Sequence, residues 1–376
     1  MNKYDFLIVG AGFFGTTCAR LLTDAGYRCL IIEKEDHVGG LCSTTIKNNI
    51  VCHDYSSHIF HTDDKFLWDF MNKYGEMIPI NYNVKVMNNS TLYSLPINMN
   101  LFYELYKEFY PKDAKTVIDN DIKYYGVDYR RNLEEELIAD AGFKAYQNVF
   151  KGYYEKLYGE ECKNIPGIAI RDMRKDYTYN ASYFKERYVG VPKEGYTKLI
   201  ENIIGDDIDI IFKVDFLKAK EKYMKLADII ICTCPIDRFC NYIYGPLTWK
   251  TLKFDLKTGE STNMFGAQTL RVNNTDNLTI QFDEFKWLLP DENNEEVKSY
   301  YLETWYDKWN PDKKEMFCLN SDENEQIMDK YITFINENFN NVIFGGHLGM
   351  FRNFFIDETI KLAQELSTEI IKNMKS

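Results

Sequence analysis

Residues 4–34 read YDFLIVGAGFFGTTCARLLTDAGYRCLIIEK. An apolar run ending at Val9 meets Gly10-Ala11-Gly12-Phe13-Phe14-Gly15, a helical pattern follows, and a second apolar run closes on Glu33. Strand, glycine turn, helix, strand and acid in succession make a dinucleotide-binding unit. Gly10 permits the tight turn out of the strand, Gly12 lets a pyrophosphate approach the backbone, and Gly15 lets the helix pack close to the strand. The helix N-terminus attracts the anion, and the Glu33 carboxylate accepts from a ribose hydroxyl. The expectation is an α/β fold with a Rossmann-type N-terminal unit.

NAD and FAD share this fingerprint. Residues 33–44, EKEDHVGGLCST, add the pair Gly39-Gly40. A second close backbone approach suits the longer flavin dinucleotide, so the spacing favours FAD over NAD.

A chain of 376 residues is long enough for a sizeable core and more than one lobe. A net charge of −12 argues against nucleic acid and anionic membrane surfaces as partners. No apolar run approaches the ~20 residues of a membrane span, and the chain enters a strand without a signal-peptide pattern. Nine cysteines, an odd number with no CxxC and several inside apolar runs, predict a reducing cytoplasm. Four of the five histidines are His37, His53, His58 and His61, but no Cys/His pattern has metal-ligand spacing, so no metal is expected.

Farther along, 64–74 reads as a helix and 80–95 as a hairpin across Asn88-Asn89. Apolar residues at three and four spacing mark residues 98–161 as an inserted helical domain. GYTKLIENIIG reads as a helix, IDIIFKVDF as a strand and KLADIIICTCP as a buried strand. Residues 247–305 read as antiparallel strands; NVIFGGHLGMF is a strand into a glycine turn, before a closing helix over 357–374. The domain expectation follows. Residues 1–80, 196–245 and 321–376 form the FAD-binding domain and 98–175 a helical insert with a mobile loop. Residues 80–97, 176–195 and 246–320 form a six-stranded-type antiparallel sheet domain for the substrate.

The segments YSSHIFHTDDKFLWDFMN, LYSLPINMNLF, FKGYYEKLYG, YFKERYVGVPKEGYTKLIE and VIFGGHL, with the opening fingerprint, together resemble the UDP-galactopyranose mutase family. The resemblance runs in order over essentially the whole chain. It implies an isomerase that interconverts pyranose and furanose forms of a nucleotide-activated sugar without net redox change. Reduced FAD acts through N5 as nucleophile on the anomeric carbon, and the nucleoside diphosphate leaves and returns. It also implies a homodimer that takes a nucleotide-sugar substrate.

Carried over residue by residue, the resemblance places Gly10, Gly12, Phe14, Gly15, Glu33, Lys34, Gly39, Gly40, Leu41, His58, Val214, Gly346, Phe355 and Ile356 at the cofactor. It places Phe150, Tyr154, Tyr158, Tyr183, Glu303, Arg352 and Asn353 at the substrate. The departures fall on the substrate side. Ser56-Ser57 replaces Gly-Ala before His58, Tyr154 stands for a threonine and Tyr158 for a tryptophan. Asp172 falls on a mobile-loop arginine, with Arg171 and Arg174 as neighbouring substitutes. His347 and Ile280 fall on arginines, and Asn353 on a tyrosine. His347 is expected to serve as a titratable phosphate partner. Each lost guanidinium removes a bidentate phosphate donor, so the expected sugar nucleotide is not UDP-galactose. The rival readings are an FAD oxidoreductase of the amine-oxidase type and a catalytically idle FAD-binding scaffold.

Overall fold

The computed structural model describes residues 3–127, 129–167, 173–289, 297–319 and 321–375. β1 (Tyr4–Val9), α1 (Phe13–Asp24) and β2 (Cys29–Ile32) realise the opening unit. β1 and β2 sit in a five-stranded, all-parallel sheet, ordered Asp209–Ile211, β2, β1, Ala227–Cys232, Val342–Phe344. Such a sheet is apolar on both faces because both are covered. Phe6 and Ile8 pack with α1, helix Gly195–Ile204 and the closing helix Ile356–Lys375. Leu7 and Val9 pack on the other side with helix Asp322–Asn338.

The crossover is tight at its first turn. Gly10 holds φ +102°, a left-handed value that strains other residues. At Gly15 a Cβ would stand 2.2 Å from the Gly10 carbonyl oxygen and 2.9 Å from Ile8 Cγ2. Hydrogen there is what lets α1 lie on β1.

The second sheet has seven strands, one more than expected. Its order is Phe317–Cys318, Trp249–Thr258, Tyr300–Asp307, Thr279–Glu284, Thr269–Val272, Val84–Asn88, Thr91–Ser94. It is antiparallel except where Thr269–Val272 runs parallel to Val84–Asn88. The strand Tyr188–Pro192, expected with this sheet, pairs instead with Phe60–Thr62 and Met77–Pro79 in a separate three-stranded sheet. The expected hairpin forms, with Asn89 at φ +52° in its turn. The helical region is a run of short helices from Met99 to Tyr158, and its buried residues share a core with the seven-stranded sheet.

Because the group meeting a new Cβ at residue 15 is backbone, it cannot rotate away. Gly15→Ala is therefore expected to lower unfolding stability by about 1–3 kcal/mol despite alanine's better helix propensity. Urea denaturation tests this; a midpoint at or above wild type would contradict the contact.

Candidate active site

The C-terminal ends of β1, β2, Ala227–Cys232 and Val342–Phe344 all point to one edge, where an open α/β sheet binds its ligand. Gly12 caps α1 without a side-chain hydrogen bond and no acid lies in the first turn, so the first-turn N–H groups have no side-chain acceptor. A Cβ on Gly12 would meet nothing within 4 Å, and one on Gly40 would reach Gly12 Cα at 3.7 Å. The two glycine turns thus face each other across open space. The Ala11 N–H donates to Glu33 Oε2 (2.7 Å) and the Glu35 N–H to Oε1 (2.8 Å), which fixes the carboxylate while each oxygen keeps a lone pair. Anion-seeking amides, an uncapped helix and an oriented carboxylate fit the diphosphate and ribose of a dinucleotide.

The other proposed cofactor positions surround this edge unevenly. Phe14 packs on the last glycine turn, where a Cβ on Gly345 would come 2.1 Å from its ring, and on Gly346 beside it. The Val214 N–H donates to the Glu33 carbonyl (3.0 Å), and Leu41 lies on the short helical turn that follows Gly39. Ile356 opens the closing helix, and the Phe355 ring stands 4.9 Å from His61. Lys34 is exposed.

His58 sits on the loop before Phe60. Its N–H donates to His53 Nδ1 (3.0 Å), and its own Nδ1 lies 3.0 Å from the Ser56 carbonyl. A carbonyl only accepts, so the proton is on His58 Nδ1 and the lone pair on Nε2. Burial lowers the His58 pKa and keeps the ring neutral. Burial, with His58 beside it, drives His53 down to about 3.

This loop is tied to the seven-stranded sheet through Asp283. Its Oδ1 accepts from Thr269 Oγ1 (2.6 Å), and its Oδ2 from Gln281 Nε2 (2.8 Å) and Ser56 Oγ (3.1 Å). Burial raises its pKa despite these donors. Gln281 also donates to Ser56 Oγ (2.8 Å) and accepts from the Tyr153 hydroxyl (3.2 Å). Directly opposite Gln281 is Arg271, whose Nη2 donates to the Tyr183 hydroxyl (3.0 Å). Tyr183 also lines a cavity of about 410 Å³ with Trp68, Tyr82, Arg174, Arg187 and Tyr188.

The remaining substrate positions separate. Tyr154 is buried beside Tyr153, with ring centroids 5.0 Å apart; Tyr158 meets Phe317 edge-on at 5.5 Å. Phe150 lies in the helical core. Arg174 borders the cavity, where its Nη1 donates to Asp176 (3.3 Å) and its Nη2 to the Phe184 carbonyl (3.3 Å). Arg171 and Asp172 lie outside the described residues.

Three positions run against expectation. His347 Nε2 is spent on the Met316 carbonyl (2.6 Å), and burial lowers its pKa, so it offers no charge at neutral pH. Asn353 holds both backbone groups of Cys318, accepting from its N–H (3.0 Å) and donating to its carbonyl (2.9 Å), while Arg352 is exposed. Glu303 pairs with Lys257 and accepts from Thr279 Oγ1 (2.6 Å). In register it opposes Phe282, whereas its neighbours Leu302 and Thr304 oppose Asp283 and Gln281. A strand alternates faces at each residue, so Glu303 lies on the sheet face away from Arg271. The residues that sequence reasoning missed are Tyr153, Arg271, Gln281 and Asp283. Alternation in TLRV and TIQFDE marks strands there but gives no sign of these contacts.

Residues 148–353 match the UDP-galactopyranose mutase family, and residues 8–74 match the NAD(P)-binding Rossmann-like domain. The chain is 30% identical to a probable UDP-galactopyranose mutase of Klebsiella pneumoniae over 100% of its own length and 96% of that protein's. It is also 30% identical to the dTDP-fucopyranose mutase of Escherichia coli, over 100% of both chains. A crystal structure of reduced UDP-galactopyranose mutase superposes with a TM-score of 0.76 at 14% identity, covering 98% of this chain and 96% of that one.

The His53–His58 contact sets a pH dependence. His53 can accept from the His58 N–H only while its Nδ1 is unprotonated, and its pKa falls from the ordinary 6.5 to about 3 on folding. A depressed histidine contributes stability that is present above 6.5 and is lost as pH falls from there toward 3. His53→Asn keeps an acceptor that does not titrate. It is expected to remove about 2 kcal/mol of the stability loss seen between pH 7 and pH 5. Urea unfolding across that range is the measurement; parallel curves for the two proteins would refute the coupling.

Proposed function

The chain belongs to the UDP-galactopyranose mutase family, and on that premise we propose that it interconverts the pyranose and furanose forms of a nucleotide-activated sugar other than UDP-galactose. FAD, bound in its reduced form, supplies the nucleophile for the anomeric carbon. The chain's own residues do the rest. The amides at Gly12 and the Gly39-Gly40 turn hold the cofactor diphosphate, and Glu33 holds its ribose. Neutral His58 keeps a lone pair on Nε2 as an acceptor beside the cofactor. Tyr82, Tyr183 and the cations around the cavity receive the nucleoside diphosphate and retain it between leaving and returning.

The observation that carries the substrate reading is the rearranged set of charges. His347 is neutral and hydrogen-bonded to backbone, and Asn353 is committed to Cys318. The positive groups stand instead at Arg174, Arg187 and Arg271. The relative that acts on dTDP-fucopyranose, as similar overall as the one named for UDP-galactopyranose, makes a dTDP-linked 6-deoxyhexose the first candidate. A homodimer in a reducing cytoplasm belongs to the same proposal. The first rests on the family expectation and the second on nine cysteines, an odd number with no CxxC.

Two measurements test this. Gly12→Val keeps an allowed extended backbone, since residue 12 has φ −83° and ψ 179°, and its side chain would fill the open space over the helix N-terminus. It is expected to purify folded, within about 0.5 kcal/mol of the wild-type apoprotein, but with little flavin; stoichiometric FAD would refute the cradle. In the second, dithionite-reduced wild type is given UDP-galactopyranose and dTDP-fucopyranose. The expected result is a kcat/KM on the former lower by about 10- to 100-fold, the worth of one charge-assisted contact. Equal turnover would remove the substrate reading. Oxygen consumption without furanose product would favour the oxidase alternative, and no turnover of any sugar nucleotide would favour an idle scaffold.

A further inference from the structure

Arg271 is a guanidinium whose chemistry is incomplete. Among the described residues its Nε and Nη1 are shielded from solvent and make no hydrogen bond, while Nη2 donates to the Tyr183 hydroxyl. Among the described residues it forms no ion pair with any carboxylate. Asp283, on the neighbouring strand, is occupied by Thr269, Ser56 and Gln281. What surrounds the cation is aromatic: its centre lies 4.6 Å from the Tyr153 ring and 5.4 Å from that of Tyr183. Ring faces stabilise a cation but accept none of the in-plane N–H bonds. A guanidinium stays charged at every physiological pH, and a buried donor left unpaired is destabilising. The chain therefore keeps a permanent charge and two unused donor atoms on the residue bonded to Tyr183, which itself lines the cavity with Arg174 and Arg187.

Nε–H and Nη1–H lie on opposite sides of the guanidinium, but the one on the side away from Tyr183 pairs with the second N–H of Nη2 to match an oxyanion with two oxygens in one plane, above all a phosphate. Among the described residues the carboxylate lining the cavity is Glu186, whose Oε2 faces His61 Nδ1 at 3.5 Å without a hydrogen bond, while the Arg174 and Arg187 guanidinium groups line the same cavity. We propose that Arg271 is the fixed oxyanion-binding residue of this chain, holding a phosphate oxygen of the nucleoside diphosphate with the Tyr183 hydroxyl beside it. The proposal rests on the mutase reading for the identity of that anion, and on the unpaired donors for its existence. It also fixes a direction. The diphosphate is drawn from the cavity toward the face of the seven-stranded sheet that carries Gln281 and Thr304, and so toward the loop of Ser56 and His58.

The test uses the oxidised holoenzyme and titration calorimetry with two pairs of probes, UDP against uridine and dTDP against thymidine. In wild type the diphosphate of at least one pair is expected to bind more tightly than its nucleoside. Arg271→Gln is expected to weaken that diphosphate by about 10- to 100-fold while leaving the nucleoside unchanged. A purely structural arginine would weaken both members of a pair equally, and that result, or no change in either, overturns the proposal. If Arg271→Gln does not retain flavin, Arg271→Lys carries the comparison. Lysine keeps the charge but lacks the fork, so an unchanged preference for diphosphate in this variant also overturns the proposal. Turnover separates the two levels of inference. A wild type that converts a sugar nucleotide but whose diphosphate preference ignores Arg271 keeps the mutase and loses the anion site. A wild type that converts none, yet whose preference depends on Arg271, keeps the anion site and loses the mutase. A wild type with no diphosphate preference loses the anion site whatever it turns over.

Discussion

Asp283 is buried, with three neutral donors and no cation bonded to it among the described residues, and the site is assembled around it. Thr269 reaches it from the adjacent strand, Gln281 from its own strand, and Ser56 from the loop that carries His58. One carboxylate thus joins two strands of the antiparallel sheet to a loop at the dinucleotide edge. Burial raises its pKa because the charged form is costly away from water. Three good hydrogen bonds offset part of that cost. The same contacts hold Gln281 where it meets Tyr153 and faces Arg271, so the aromatic cage and the cation inherit their positions from it.

The same carboxylate explains a departure from the family pattern. Ser56 stands at φ +76°, a left-handed value that suits the glycine usual there and costs other residues about 1–2 kcal/mol. Its hydroxyl donates to Asp283 and accepts from Gln281, contacts that glycine could not make. Backbone strain is exchanged for two buried hydrogen bonds. The loop is then anchored by its side chain, and the Ser56 carbonyl is placed to fix the His58 tautomer.

Charge at the substrate side has moved rather than vanished. His347 and Asn353 spend their polar atoms on backbone, stitching the glycine turn at residue 346 and the segment after it to Met316 and Cys318. The cations that remain are arginines on three different segments, and two of them, Arg174 and Arg187, border the cavity. Guanidinium groups at these points present charge-assisted donors at positions other than those where the family pattern has its arginines. A leaving group must be held without being trapped, and a clamp with a new geometry changes which sugar sits at the reacting edge.

The dinucleotide unit was legible in residues 4–34 because its causes are local. A glycine that must adopt φ +102°, another with a carbonyl 2.2 Å from where its Cβ would stand, and an acid at the end of the next strand act over a few residues of chain. Helical spacing likewise exposed the run from Met99 to Tyr158, and weak alternation exposed the hairpin across Asn88-Asn89. What remained hidden depended on parity and on partners far apart in sequence. Glu303 lost its expected place because one residue along a strand reverses the face, and only pairing with Phe282 fixes which face that is. Arg271 gave no local sign, since its meaning comes from Tyr153, Tyr183 and a carboxylate already occupied by others. Sequence determined the sheet edge and its cofactor chemistry, because steric limits on the backbone are read from neighbouring residues. Tertiary structure alone decided which cation is left unpaired, because that depends on every donor and acceptor that folding brings within reach.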